Sequence, residues 1–284
     1  MRFAFIEAKK AEHDVRILCR VLRVSRQGFY AWLSREESQH DRDDRRLGLE
    51  IRAAFQASKR TYGSPRIRRE FRNHGTRVCR HRIARLMREQ GIRARPRRRF
   101  VRTTDSTHGL PTPKNLLARR FNPTAPNRVW ASDVTYLATR EGWLFLAVVI
   151  DLFSRRVVGW AMSEHNDEQL TLAALQMALD HRRPRRGLMH HSDRGTTYAS
   201  GSYQDLLARH GIVCSMSRKG NCWDNAVVES FFSTLDIECA RGESFTSRTT
   251  ARQQVTEFLL GFYNSTRLHS SLGYRSPMEF ERAA

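Results

Sequence analysis

Apolar positions in the first ninety residues recur every three or four places, whereas from residue 127 they alternate or run together. The first pattern predicts helices. One spans 15–22 and a second 26–33, with Ser25 as its N-cap after a short Arg23-Val24 turn. A third spans 47–59. A fourth opens with Ser64 as cap and Pro65 in the first turn, and His74-Gly75 ends it. A fifth, within 77–88, lines Ile83, Leu86 and Met87 on one face. Residues 93–126 show no period and are rich in Arg, Thr, Ser, Pro and Asn, so they read as an extended linker. The second pattern predicts strands at 129–138 and 143–150, joined by an Arg140-Glu141-Gly142 turn, and a third strand at 156–162. A helix at 167–181 follows, then a short buried strand running toward Asp193, a helix at 202–210 and a strand at 211–216. Helical spacing returns at 223–235 and again from 246 to 262. Strands first and alternating helices and strands afterwards make an α/β protein.

Three acids interrupt this apolar framework. Asp133 lies in Trp130-Ala131-Ser132-Asp133-Val134-Thr135-Tyr136, Asp193 in His190-His191-Ser192-Asp193-Arg194-Gly195, and Glu229 in Asn225-Ala226-Val227-Val228-Glu229-Ser230-Phe231-Phe232. A lone acid at a strand end is ordinarily a solvated residue. Each of these, however, follows or sits inside an apolar stretch, where an uncompensated charge is costly. Two carboxylates at strand ends and one on a nearby helix can converge on two Mg²⁺ or Mn²⁺ ions, which prefer hard oxygen donors. Such a pair serves in-line phosphoryl displacement.

Charge changes the picture further. The chain carries a net charge of +21 over 284 residues. Residues 1–120 contain 32 Lys and Arg against 12 Asp and Glu, while residues 121–284 contain 18 against 17. A basic front and a near-neutral core point to a region that grips a polyanion. Arg26 and Gln27 open the second helix and could enter a groove of DNA, as in a helix-turn-helix. A plain helical hairpin fits the same pattern, since Gly28 weakens that helix. Arg80, Arg82, Arg85 and Arg88 lie largely off the apolar face of the fifth helix, and Arg97, Arg98 and Arg99 sit in the linker; all are candidate phosphate contacts. No apolar run reaches the roughly 18 residues needed to cross a bilayer, and the N-terminal residues turn charged too soon for a secretory leader. Five scattered cysteines without a CxxC pair suit reduced thiols and a cytoplasmic, nucleoid-associated protein, with no zinc site.

The motifs around Asp133, Asp193 and Glu229 resemble the acidic triad of the DDE integrase-core transposases, closest to the second-frame (OrfB) proteins of two-frame bacterial insertion sequences of the IS3 family. The resemblance covers nearly the whole chain and includes the C-terminal stretch Tyr263-Asn264-Ser265-Thr266-Arg267-Leu268-His269-Ser270-Ser271-Leu272-Gly273-Tyr274. It implies an RNase H-like core, a mixed five-stranded sheet with helices whose first and fourth strands are neighbours, preceded by small all-α helix-turn-helix-like modules. It implies Asp133, Asp193 and Glu229 as catalytic metal ligands for two Mg²⁺ or Mn²⁺ ions, with strand cleavage and strand transfer at the element ends. The implied partners are the terminal repeats and target DNA, a first-frame (OrfA) protein that can be fused to the second, and further copies of the chain on DNA; no membrane is involved. In the family a Lys commonly follows the catalytic Glu by seven residues, a position held here by Asp236.

The organisation expected is a helix-turn-helix-like module at 1–40, a second basic helical module at 41–95, a linker at 96–126, the catalytic core at 127–240 and a C-terminal helix and tail at 241–284. Several residues are read as structural first: Asp151 pairing with Arg155 or Arg156, Asp224 capping the Glu229 helix with a DNA contact as its alternative, Trp143 and Trp160 in the core, and His269 in its loop with a contact near the DNA end as its alternative. Two other readings compete with a transposase. One is a DNA-binding regulator that keeps a decayed core, and the other is an RNase H-like nuclease without strand transfer. The unbroken triad argues against the first, and the basic helical modules against the second.

Overall fold

The computed structural model describes residues 1–94, 112–218, 221–240 and 244–284. The linker arginines Arg97, Arg98 and Arg99 fall outside these. The chain divides into two compact units, residues 1–53 and 54–284.

The first unit is helical. Helices α1 (Arg2–Lys9), α2 (Val15–Val21) and α3 (Arg26–Leu33) enclose Ile6, Leu18, Cys19 and Phe29. Ser25 caps α3 by accepting from Gly28 N at 3.0 Å. Arg26 and Gln27 are exposed at its start. Helix α4 runs Gln39–Ala57, so it begins eight residues before the apolar period does. Polar pairs one turn apart explain the extra length: Gln39 donates to Asp43, and His40 faces Asp44 at 3.4 Å.

In the second unit, α5 (Ser64–Asn73) and α6 (Arg80–Glu89) form a helical pair around Ile67, Phe71, Ile83, Leu86 and Met87. Ser64 is not the cap expected of it. Gly63 occupies that position without a side-chain bond, and Ser64 is the first helical residue. Cys79 Sγ caps α6 by accepting from Arg82 N. Arg80 and Arg88 are exposed, Arg82 and Arg85 half-buried, and Arg85 pairs with Glu89 at 2.9 Å.

A mixed five-stranded sheet follows: β1 (Val129–Thr139), β2 (Gly142–Asp151), β3 (Val157–Ser163), β4 (Met189–Ser192) and β5 (Val213–Met216), in the order β3-β2-β1-β4-β5. The first three strands are antiparallel, and β4 lies parallel to both β1 and β5. Between β3 and β4 runs α7 (Glu168–Arg182), capped by Asp167, which accepts from Leu170 N. The short α8 (Thr196–Ala199) and α9 (Gly201–Arg209) lie between β4 and β5. Trp130, Ala147, Val149 and Val158 on the sheet pack with Leu175, Ala178 and Tyr203 of α7 and α9. Gly159 permits that approach, since a Cβ there would lie 2.3 Å from Ala174 O.

A 3₁₀ turn (Cys222–Asn225) leads into α10 (Ala226–Leu235), which continues as a π-helical turn through Ala240. Helix α11 (Arg248–Glu257) likewise runs on in π form through Tyr263, and α12 (Pro277–Arg282) ends the chain with a Ser276/Glu279 capping box. This is the RNase H-like core, with helix-turn-helix-like modules ahead of it. Two tryptophans differ from expectation. Trp143 is 53% exposed, standing edge-on to Tyr136 beside the hairpin turn, and Trp160 is only half-buried.

Candidate active site

The sheet order decides what can meet. Strand β4 pairs with β1 over only three residues, Val129 to Ala131 against Met189 to His191. Asp133 and Asp193 each lie two residues beyond the end of this pairing, at the same end of two parallel neighbours. Helix α10 packs on β1 and carries Glu229 in its first turn. Three acids separated by 60 and 36 positions thus come to one end of the sheet.

Burial raises the Asp133 carboxyl well above its ordinary range. The negative charges of Asp193 and Glu229 add to this, opposed by hydrogen bonds from Val134 N and the Asn225 amide. Those donors lie 2.8 Å from Asp133 Oδ1 and 3.2 Å from Oδ2. Burial also raises Glu229. Asp193 Oδ1 accepts from Gly195 N at 2.9 Å. A Cβ at Gly195 would stand 3.1 Å from that oxygen, so a side chain there would crowd the carboxylate. All the donor atoms are carboxylate oxygens, which suit hard divalent cations. Among the described residues no three His, Cys, Asp or Glu side chains are gathered tightly enough to hold a metal ion as they stand.

Behind the acids lies a polar layer that periodicity alone does not reveal. Ser132 Oγ and Tyr203 OH both hydrogen-bond to His190 Nε2, at 2.8 and 3.0 Å. His191 bridges Ser215 and Ser217 from its two nitrogens, at 2.9 and 3.2 Å. Burial pulls His190 down to about 3 and His191 to about 4, so both rings are neutral at physiological pH. They tie β1, β4, β5 and α9 together immediately before the two aspartates. The signal in the sequence is a pair of His residues directly after the apolar Leu188-Met189, at a strand whose burial means polar side chains need partners.

Two other acids depart from their expected roles in detail. Asp151 is structural, but neither Arg155 nor Arg156 pairs with it through its carboxylate. The carboxylate takes Arg182 at 3.2 Å and the N–H groups of Asn127 and Phe153 at 2.7 and 2.9 Å. Arg156 bonds Glu281 instead. Asp224 does not cap α10. It is fully buried inside the preceding turn and accepts from Arg218, Arg119 and Asn115. The Arg218 guanidinium holds its carboxyl far below the ordinary range. The fold thus ties the later part of the 96–126 stretch to the entrance of the Glu229 helix. His269 keeps its structural place: it is buried, edge-on to Tyr263, and pulled down to about 2 by burial and by Arg267. Asp236 lies half-buried at the C-terminal end of α10.

Comparison with known proteins agrees with this geometry. Integrase core domain models match residues 123–222 and 210–277, and an HTH-like domain model matches 41–100. Transposase InsF for insertion sequence IS3A of Escherichia coli (strain K12) is 46% identical over 283 residues, covering 99% of this chain and 98% of that protein. The insertion element IS600 uncharacterized 31 kDa protein of Shigella sonnei is 45% identical over 263 residues, 93% and 97% of the two chains. A solved intasome of simian T-cell lymphotropic virus is a more distant likeness, at 15% identity and TM-score 0.48 over 63% of this chain and 61% of that one, too slight to carry function. Identity of this degree over the full length of both chains means that the protein belongs to the transposases of IS3-family insertion sequences, as a second-frame (OrfB) member.

Proposed function

We propose that Asp133, Asp193 and Glu229 are the catalytic acids of a transposase that cuts DNA at the ends of its own insertion sequence and joins the freed 3′-OH to a target strand. The observation that carries this reading is the influence on Asp133 of two other carboxylates brought from distant parts of the chain. Asp133, Asp193 and Glu229 would hold two Mg²⁺ or Mn²⁺ ions. Such ions would stabilise charge on the attacking and leaving oxygens of each in-line displacement. The chain's own residues supply position. The Asn225 amide and Val134 N–H hold the Asp133 carboxylate, and the Gly195 N–H holds that of Asp193. Grip on DNA belongs to the basic helices, with Arg80 and Arg88 exposed on α6 and Arg26 and Gln27 on α3. Arg82, Arg85 and the linker arginines Arg97, Arg98 and Arg99 complete the candidate contacts. A first-frame protein and further copies of this chain complete the assembly on DNA.

The test separates cutting from holding. Alanine at Asp133, Asp193 or Glu229 is expected to lower strand cleavage at least about a thousandfold. DNA affinity should stay within a few-fold, because its source is the basic region. Chelating divalent cations should silence the wild type in the same way. Full cleavage by the Asp193→Ala protein would end this reading.

A further inference from the structure

Beyond the acids, β1 and α10 run on together and enclose a cavity of about 270 Å³, lined by Thr135, Tyr136, Trp143, Phe232, Leu235 and Asp236. Thr135 lies two residues along β1 from Asp133, about 7 Å. Asp236 lies two helical turns beyond Glu229, about 10 Å. The cavity is therefore reached from the acids along both elements, at roughly the distance of a neighbouring nucleotide. Tyr136 and Trp143 are 43% and 53% exposed, with ring centroids 4.8 Å apart and planes at 81°. Large aromatics left open beside a nucleic-acid site are stacking platforms, since every base has a π-face. Asp236 contributes a different chemistry. Its carboxylate repels phosphate but accepts hydrogen bonds, and guanine offers adjacent N1–H and N2–H donors on one edge.

We propose that this cavity receives one unstacked guanine of the DNA strand, stacked against Trp143 and read by Asp236. The proposal rests on the transposase reading for the presence of DNA at the neighbouring acids. The occupant is a base because the space has room for one planar ring system and the carboxylate stands on its lining. A sugar–phosphate backbone threaded there would meet the wrong charge.

The experiment uses the full-length protein and five duplexes that differ only in one unpaired terminal residue: dG, dA, dC, dT or an abasic site. Affinity is read by fluorescence anisotropy in EDTA, where no strand is cut, so a failure here leaves the triad reading standing. Conversely, a base preference that survives in a protein whose triad variants still cut would overturn only the triad reading. The dG tail is expected to bind about tenfold more tightly than the abasic one. Trp143→Ala should erase that gain while leaving affinity for the abasic duplex unchanged, which also shows the variant to be folded. Asp236→Asn should keep the gain from stacking but level dG with dA. Equal affinity of the wild type for all five tails would overturn the proposal, as would a Trp143→Ala protein that still prefers dG.

Discussion

Asp133 and Asp151 sit in the same antiparallel strand pair, both inside the fold, and their surroundings differ in kind. Burial pushes both carboxyls upward. Around Asp151, two backbone N–H groups and the Arg182 guanidinium oppose that push. Around Asp133, two further carboxylates add to it. One site is a finished electrostatic structure, while the other concentrates negative charge. The fold satisfies one aspartate and leaves its neighbour facing like charges, a contrast of the kind found at functional sites.

Glu238 offers the strongest way to sharpen the contrast, because it belongs to the satisfied kind. Arg267 grips it with two hydrogen bonds, at 2.6 and 2.8 Å, and both side chains are almost wholly buried. Arg267→Ala would leave that carboxylate inside the protein with Arg66, at 3.5 Å, as its remaining ion-pair partner among the described residues. The expected loss is about 3–5 kcal/mol in urea unfolding; a loss under 1 kcal/mol would mean that the pair contributes little. Next comes Asp151→Ala, which abandons two N–H groups and one contact of Arg182. Glu281 still holds Arg182 at 2.8 Å, so the expected cost is smaller, about 2–3 kcal/mol. Smallest, and opposite in sign, is Asp133→Asn. A folded-state pKa above the unfolded one means that the ionised carboxylate opposes folding as pH rises through that range. In EDTA at pH 8 the variant should melt a few degrees higher than wild type, at about 2–4 °C per kcal/mol. The gap should close as the pH is lowered and the wild-type carboxyl takes up its proton. A variant that melts lower at pH 8 would break the comparison.

The sheet was largely legible because alternation survives in β1, β2 and β3, and because capping residues such as Ser25 and Asp167 mark helix starts by a local bond. The three acids were legible because each stands against an apolar background. What the pattern concealed depends on partners far away in the chain. Asp151 finds Arg182, 31 residues on, rather than the arginines beside it. Asp224 is claimed by Arg119 from 105 residues away. Helix α4 starts early because side-chain pairs, not apolar spacing, support its first two turns. Trp143 looks like a core residue by type, but it lies at the turn end of the hairpin, where its side chain stays 53% exposed.

The buried Glu238 brace has a consequence for building hybrids of related proteins. Arg66 reaches it from 172 positions upstream and Arg267 from 29 downstream, while the Tyr62 hydroxyl accepts from Leu268 N at 2.8 Å. A chimera cut after Ala240, with its tail taken from a relative, would inherit one side of this joint without the other. Exchanging the tail should succeed only when the 62–66 segment travels with it, which makes these two distant stretches a single heritable module.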